Sequence, residues 1–198
     1  MDAKICGIKD FKTLQYILNH KYRPKYIGFI CNYPKSKRHV KLNNLKKLTN
    51  INKKNTKFVG VLVKPNKKFL EKIKYFKFDY YQLYDVDPIK TKIIKKKYNK
   101  KIITALSIEN KSDVKKYKQY ISISDIILFD GKGYEKSISF DKSLIKNLKI
   151  SKKKMIAGNI KYNDNLDKFV KITDIIDLSG SLETSGKKDL KKINIFLK

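Results

Sequence analysis

Lys4-Ile5-Cys6-Gly7 opens the regular part of this chain: a short apolar strand ends in a thiol and a glycine, and Ile8-Lys9 leads to a helix capped by Asp10. Seven further strand–helix units follow. Strands are predicted at Lys4–Cys6, Tyr26–Cys31, Lys57–Val63, Tyr80–Leu83, Ile102–Leu106, Ile126–Phe129, Met155–Ala157 and Ile175–Leu178. These runs are short and rich in Ile, Val, Phe and Tyr, as parallel strands buried on both faces are. Between them the apolar residues take helical spacing. The faces are Phe11, Leu14, Ile17 and Leu18; Leu42, Leu45 and Leu48; Phe69, Leu70, Ile73 and Phe76; Ile89, Ile93 and Ile94. The remainder are Val114, Tyr117 and Ile121; Leu144, Ile145 and Leu148; Leu166, Phe169 and Val170; and Leu190, Ile193 and Phe196. Strict alternation predicts a parallel sheet covered by helices. Open doubly wound sheets share the pattern, but eight units without a linker favour one α/β domain over residues 1–198, a single-domain (β/α)8 TIM barrel near the lower size limit of that architecture.

A formal charge of +30 first suggests nucleic acid. The kind of basic residue argues against a specific nucleic-acid partner. Arg occurs only at Arg23 and Arg38, so 46 of the 48 basic residues are Lys (48 − 2), whereas base and phosphate recognition favours the guanidinium fork. Lys, Ile, Asn, Tyr and Phe are abundant together and Trp is absent, the mark of AT-rich codons. Lys residues are spread along the whole chain, which makes a solvated surface rather than a binding stripe. Such a field would still speed encounter with a small anionic substrate.

Two cysteines without metal spacing predict neither a disulfide framework nor a zinc site, so no metal is expected. No apolar run reaches the roughly 18 residues of a membrane span, and Met1-Asp2-Ala3-Lys4 does not begin a signal peptide. The expectation is a cytoplasmic protein, not bound to membrane, in which Cys6 is a free thiol; monomer and homodimer are both open. Neither Gly-x-Gly-x-x-Gly after the first strand nor Gly-x-x-x-x-Gly-Lys-Ser/Thr is present, which argues against nucleotide cofactors.

In a barrel the reacting side chains come from the C-terminal strand ends. Here those tips supply Cys6-Gly7, Gly28 to Arg38, Val63-Lys64-Pro65, Gln82, Ser107, Asp130-Gly131, Gly158-Asn159, and Asp177 through Glu183. Cys6 and Asp130 are the base and acid candidates. Gly158, Asn159, Ser179, Gly180 and Ser181 predict a phosphate cradle, because small residues leave backbone N–H groups unshielded. Cys31 reads as a core residue inside an aromatic–aliphatic strand end. Arg38 stands out in a chain that has lost almost every other Arg.

With these residues in place, the chain resembles the phosphoribosylanthranilate isomerases nearly end to end. The family's Lys-Ile-Cys-Gly is Lys4-Ile5-Cys6-Gly7, and its Gly-Phe-Ile-Phe and Ser-Pro-Arg are Gly28-Phe29-Ile30-Cys31 and Ser36-Lys37-Arg38. Its Val-Gly-Val, Gln-Leu-His and Leu-Leu-Asp are Val59-Gly60-Val61, Gln82-Leu83-Tyr84 and Leu128-Phe129-Asp130. Its closing Asp-Val-Ser-Ser-Gly-Val-Glu-Thr-Ser is Asp177 to Ser185. The resemblance implies a cofactor-free Amadori rearrangement of phosphoribosylanthranilate in tryptophan biosynthesis. Asp130 would be the general acid, Cys6 the general base, Arg38 the anthranilate-carboxylate ligand and Gln82 a further substrate contact. Such chemistry needs Asp130 protonated, above the roughly 3.9 of a free Asp, and a site that favours ionisation of Cys6 over the roughly 8.5 of a free thiol. The chain departs from the family at Asn159, at Lys37, in the segment Gly133-Tyr134-Glu135-Lys136-Ser137, and in a last glycine one place early. Another sugar-phosphate barrel enzyme is the same-fold alternative, and a basic nucleic-acid-binding protein the alternative from a different class.

Overall fold

Five helix starts along this chain coincide with a capping side chain that accepts from the first free N–H groups. Asp10 accepts from Thr13 N–H at 2.8 Å, Asn66 from Phe69, Asp87 from Lys90 with Pro88 at the first helical position, and Asp189 from Lys191. Asn110 and Asp113 form a reciprocal capping box. The computed structural model describes residues 1–133 and 139–198. Its helices are α1 (Phe11–Asn19), α2 (Leu42–Thr49), α3 (Lys67–Ile73), α4 (Pro88–Tyr98), α5 (Lys111–Lys115), α6 (Ser143–Lys146), α7 (Asp167–Val170) and α8 (Leu190–Leu197).

They alternate with strands β1 (Asp2–Cys6), β2 (Tyr26–Ile30), β3 (Lys57–Val63), β4 (Tyr80–Tyr84), β5 (Lys101–Ile108), β6 (Ile126–Gly131), β7 (Lys153–Ile156) and β8 (Ile175–Leu178). Each strand pairs with the next in parallel, and β8 returns to pair with β1 through Asp2↔Ile175 to Ile5↔Leu178, closing the barrel. The predicted (β/α)8 architecture is what the chain forms. Half of the strand termini shift by one or two residues, and β4 runs on through Tyr84.

Period-two alternation sorts the strand residues into two cores. Ile5, Ile27, Phe29, Phe58, Tyr81, Ile127, Phe129 and Ile176 face the helices. Cys6, Tyr26, Val59, Val61, Tyr80, Tyr84, Ile126, Leu128, Met155 and Ile175 fill the barrel interior. Tyr26 and Tyr80 meet edge-on there, with ring centroids 5.6 Å apart.

Two features differ from the sequence reading. α6 and α7 are single turns that lack a side-chain cap, so only Ile145 and Phe169 are buried from them. A small antiparallel hairpin, β9 (Glu183–Thr184) and β10 (Lys187–Lys188), follows β8. Its signal was in the sequence: Ser185 and Gly186 take φ of +49° and +74°, as a two-residue primed turn requires.

Candidate active site

The same alternation that sends Ile5 outward sends its neighbours Lys4 and Cys6 inward. Gln82 and Tyr84 of β4, Asp130 of β6 and Asp177 of β8 follow the same rule. Cys6, Arg38, Gln82, Tyr84, Asp130, Gly158, Asp177 and Ser179 thus line one pocket at the C-terminal mouth, with Ile30, Val61, Val63 and Ala157 as its apolar wall. The sequence-predicted acid, base and substrate contacts are brought together.

Asp130 sits in a low-dielectric setting. Burial pushes its carboxyl up to about 6, against the opposing hydrogen bond that Tyr84 Oη donates to Oδ2 at 2.8 Å. Tyr84 Oη in turn accepts from Gln82 Nε2 at 3.1 Å. A carboxyl near 6 lies above the ordinary carboxylate range, the direction a proton donor needs, but keeps its proton in only about a tenth of the molecules at pH 7.

The thiol behaves differently from expectation. Burial raises the Cys6 thiol, with Asp177 adding to the rise, while the Lys4 and Lys188 ammonium groups oppose it. The expected net preference for thiolate is therefore absent, because the dry barrel interior outweighs both cations. Lys4 is fully buried and donates to Asp177 Oδ2 at 2.6 Å. Burial works against its charge, yet Asp177 and Cys6 hold it above its ordinary value. Gly28 on β2 makes room for this arrangement, since a Cβ there would lie 2.8 Å from Cys6 Sγ and 3.1 Å from Lys4 Nζ.

Arg38 reaches the rim from the loop after β2. Its Nε and Nη2 donate to the two oxygens of Glu183 at 2.6 and 2.9 Å. Lys188, from the hairpin, donates to Glu183 Oε1 at 2.8 Å and to the Ser179 carbonyl at 2.9 Å. Gly7 allows the guanidinium stem to cross β1: its φ is +78°, and a Cβ would stand 2.5 Å from Arg38 Cδ. Sequence reasoning missed Lys4, Tyr84, Lys188 and the roles of Asp177 and Glu183 as partners. One strand tip carried Asp177 and Glu183 in plain view, but Lys4 and Lys188 were hidden among 46 lysines.

Gly158, Asn159, Ser179, Gly180 and Ser181 line a second recess of about 190 Å³ with Lys161, and it shares Gly158, Asp177 and Ser179 with the first pocket. Asn159 has φ of +53° after Gly158 at +86°. Asn is among the few residues that adopt that left-handed conformation easily, so it can stand where the family has a second glycine. Among the described residues, five buried side-chain atoms have no hydrogen-bond partner, and three of them, Gln82 Oε1, Asp177 Oδ1 and Ser181 Oγ, belong to residues lining these recesses. Buried polar atoms are normally paired, so this concentration marks capacity kept for a ligand. Cys31 lies in the outer core, 1% exposed, with Sγ against the Phe29 carbonyl at 3.1 Å. Among the described residues, no group of three or more His, Cys, Asp or Glu is placed to hold a metal ion, and no helix is long and apolar enough to cross a membrane. Residues 134–138, where the departure after Gly133 falls, lie outside the described residues.

The family model for N-(5'phosphoribosyl)anthranilate (PRA) isomerase matches residues 3–198. The chain belongs to the PRA isomerase family. It is 35% identical to the N-(5'-phosphoribosyl)anthranilate isomerase of Campylobacter jejuni, covering 100% of this chain and 98% of that one. It is 32% identical to that of Rhizobium rhizogenes, covering 98% and 91%. The crystal structure of PRA isomerase from Thermotoga maritima superposes with a TM-score of 0.85 at 25% identity, covering 100% of this chain and 97% of that one. Another Thermotoga maritima structure is described as monomers generated from a dimeric PRA isomerase. As a PRA isomerase the protein is an isomerase of tryptophan biosynthesis.

Proposed function

We propose that the barrel, acting as one domain over residues 1–198 in the cytoplasm, converts N-(5-phosphoribosyl)anthranilate to 1-(2-carboxyphenylamino)-1-deoxyribulose 5-phosphate, with Asp130 as general acid and Cys6 as general base. The observation that carries this reading is that both side chains line one pocket continuous with a recess of small residues. A PRA isomerase crystal structure with 23% identity and a TM-score of 0.81 holds reduced 1-(o-carboxyphenylamino)-1-deoxyribulose 5-phosphate, a ligand with the two anionic ends these features suit.

Asp130 gives its proton to the furanose ring oxygen as the C1–O bond opens to an iminium. Cys6 thiolate takes the C2 proton, leaving an enolamine that tautomerises to the ketone. One proton enters and one leaves, so the isomerisation balances without a redox cofactor. Glu183 uses two of the five N–H donors of Arg38, and the rest are available for the anthranilate carboxylate. Gln82 Oε1 and Asp177 Oδ1 are the unpaired acceptors that sugar hydroxyls would meet. The phosphate would sit against Gly158, Asn159, Ser179, Gly180 and Ser181, where the Ser181 hydroxyl is unspent.

The test is the fluorescence decay of freshly generated phosphoribosylanthranilate on adding purified protein. Rapid decay that Asp130→Asn and Cys6→Ser each lack supports the assignment. Decay no faster than background would remove the reaction, and full activity in either variant would remove that residue's role.

A further inference from the structure

The hydrogen-bond chain Gln82–Tyr84–Asp130 has a direction. Gln82 Nε2 is a donor only, so Tyr84 Oη accepts from it at 3.1 Å and spends its single proton on Asp130 Oδ2 at 2.8 Å. A phenol keeps this donor role at every working pH, because burial raises its ionisation well above the ordinary range. An oxygen that already accepts a hydrogen bond is the poorer place for a proton. The family motif has His at this position, so the arrangement belongs to this chain rather than to the family pattern.

We propose that Tyr84 is a positioning residue that occupies Asp130 Oδ2 and so confines the transferable proton to Oδ1. This rests on Asp130 being the general acid. Other charged groups act on the same carboxyl: Asp177 of β8 disfavours its ionisation and Lys4 of β1 favours it, with the Gly131 N–H acting as Lys4 does. Cys6 of β1 lines the same pocket, and Lys132, next along the chain, is engaged by Glu109 at 2.7 Å on the exposed rim. Of these the Gly131 N–H is also a single-proton donor, and the hydrogen bond directed at a defined oxygen of the carboxyl is the one from Tyr84 Oη to Oδ2.

The experiment follows the Asp130 carboxyl carbon by NMR in the full chain, with its resonance assigned by its loss in Asp130→Asn. Tyr84→Phe removes the donor to the carboxylate and should move the titration midpoint up by about one pH unit from about 6. Incorporation of 3-fluorotyrosine at position 84 strengthens the donor and should move it down. The Phe variant should lose roughly tenfold in kcat with KM within about twofold, since proton delivery rather than substrate contact is disturbed. Opposite shifts are a signature that a purely structural role would not give. If Tyr84→Phe does not fold, the fluorotyrosine protein reads the same bond alone. Midpoints that move in neither variant overturn the proposal while leaving Asp130 as acid. Retained turnover in Asp130→Asn overturns the acid assignment itself, and the proposal with it.

Discussion

At the residue scale, the proposed acid and base hold their protons in the order opposite to the one the proposed reaction uses. Asp130 titrates at about 6 and the Cys6 thiol lies above its ordinary range, yet turnover needs a protonated carboxyl beside a thiolate. Below pH 6 the carboxyl is already protonated and kcat/KM rises with the thiolate fraction. Between the two values, gain of thiolate cancels loss of the acid, so the profile is flat. Above the thiol's value only the acid is lost and the rate falls. We therefore expect a bell whose acid limb, near pH 6, belongs to Asp130 and whose alkaline limb lies above about 8.5. A pH series of kcat/KM checks this, and a single limb near neutrality would contradict it. Cys6→Ser should cost at least about a hundredfold in turnover, because a hydroxyl cannot supply the anion. Lys4→Met leaves Asp177 buried and unpaired, and should lower stability by about 3–5 kcal/mol in denaturant unfolding. Cys6 and Asp130 were legible in the sequence because each ends an apolar run. Lys4 was not, since nothing in a run of lysines shows which one the barrel will enclose.

At the scale of elements, the loops after strands set backbone shapes that only certain residues tolerate. Gly7→Ala would meet both a left-handed φ and the Arg38 stem, so it should raise KM about tenfold with kcat less affected. Asn159→Gly should leave the melting temperature nearly unchanged, whereas Asn159→Val should cost about 1–2 kcal/mol, read by thermal unfolding. All eight strands could be read because buried parallel strands are dense in Ile, Val and Phe. The helices were less legible. Leu148 and Leu166 keep helical spacing, but Leu148 lies beyond the single turn of α6 and Leu166 just before that of α7, so apolar spacing alone overstates both. The hairpin is hard to read because its strands are only two residues each, too short for any alternation, which leaves Ser185-Gly186 as its single signal.

At the scale of the whole molecule, the charge of +30 surrounds a site suited to a doubly anionic substrate. Raising salt from about 20 to 300 mM should lower kcat/KM several-fold while kcat holds, because screening acts on encounter rather than chemistry. Heparin retention lost by physiological salt would agree with that diffuse field, and retention beyond it would favour a nucleic-acid partner. Composition revealed the charge but not its arrangement, since most of the surface ion pairs join lysines to acids distant in sequence, as Lys25–Asp2 and Lys53–Asp79 do. The Lys4–Asp177 pair lies across the join between β1 and β8, the first and last strands of the barrel. Closure therefore couples the two edges of the sheet to the site: the wall behind Cys6 is complete, and Lys4 has its carboxylate partner, only once the eighth strand has docked against the first.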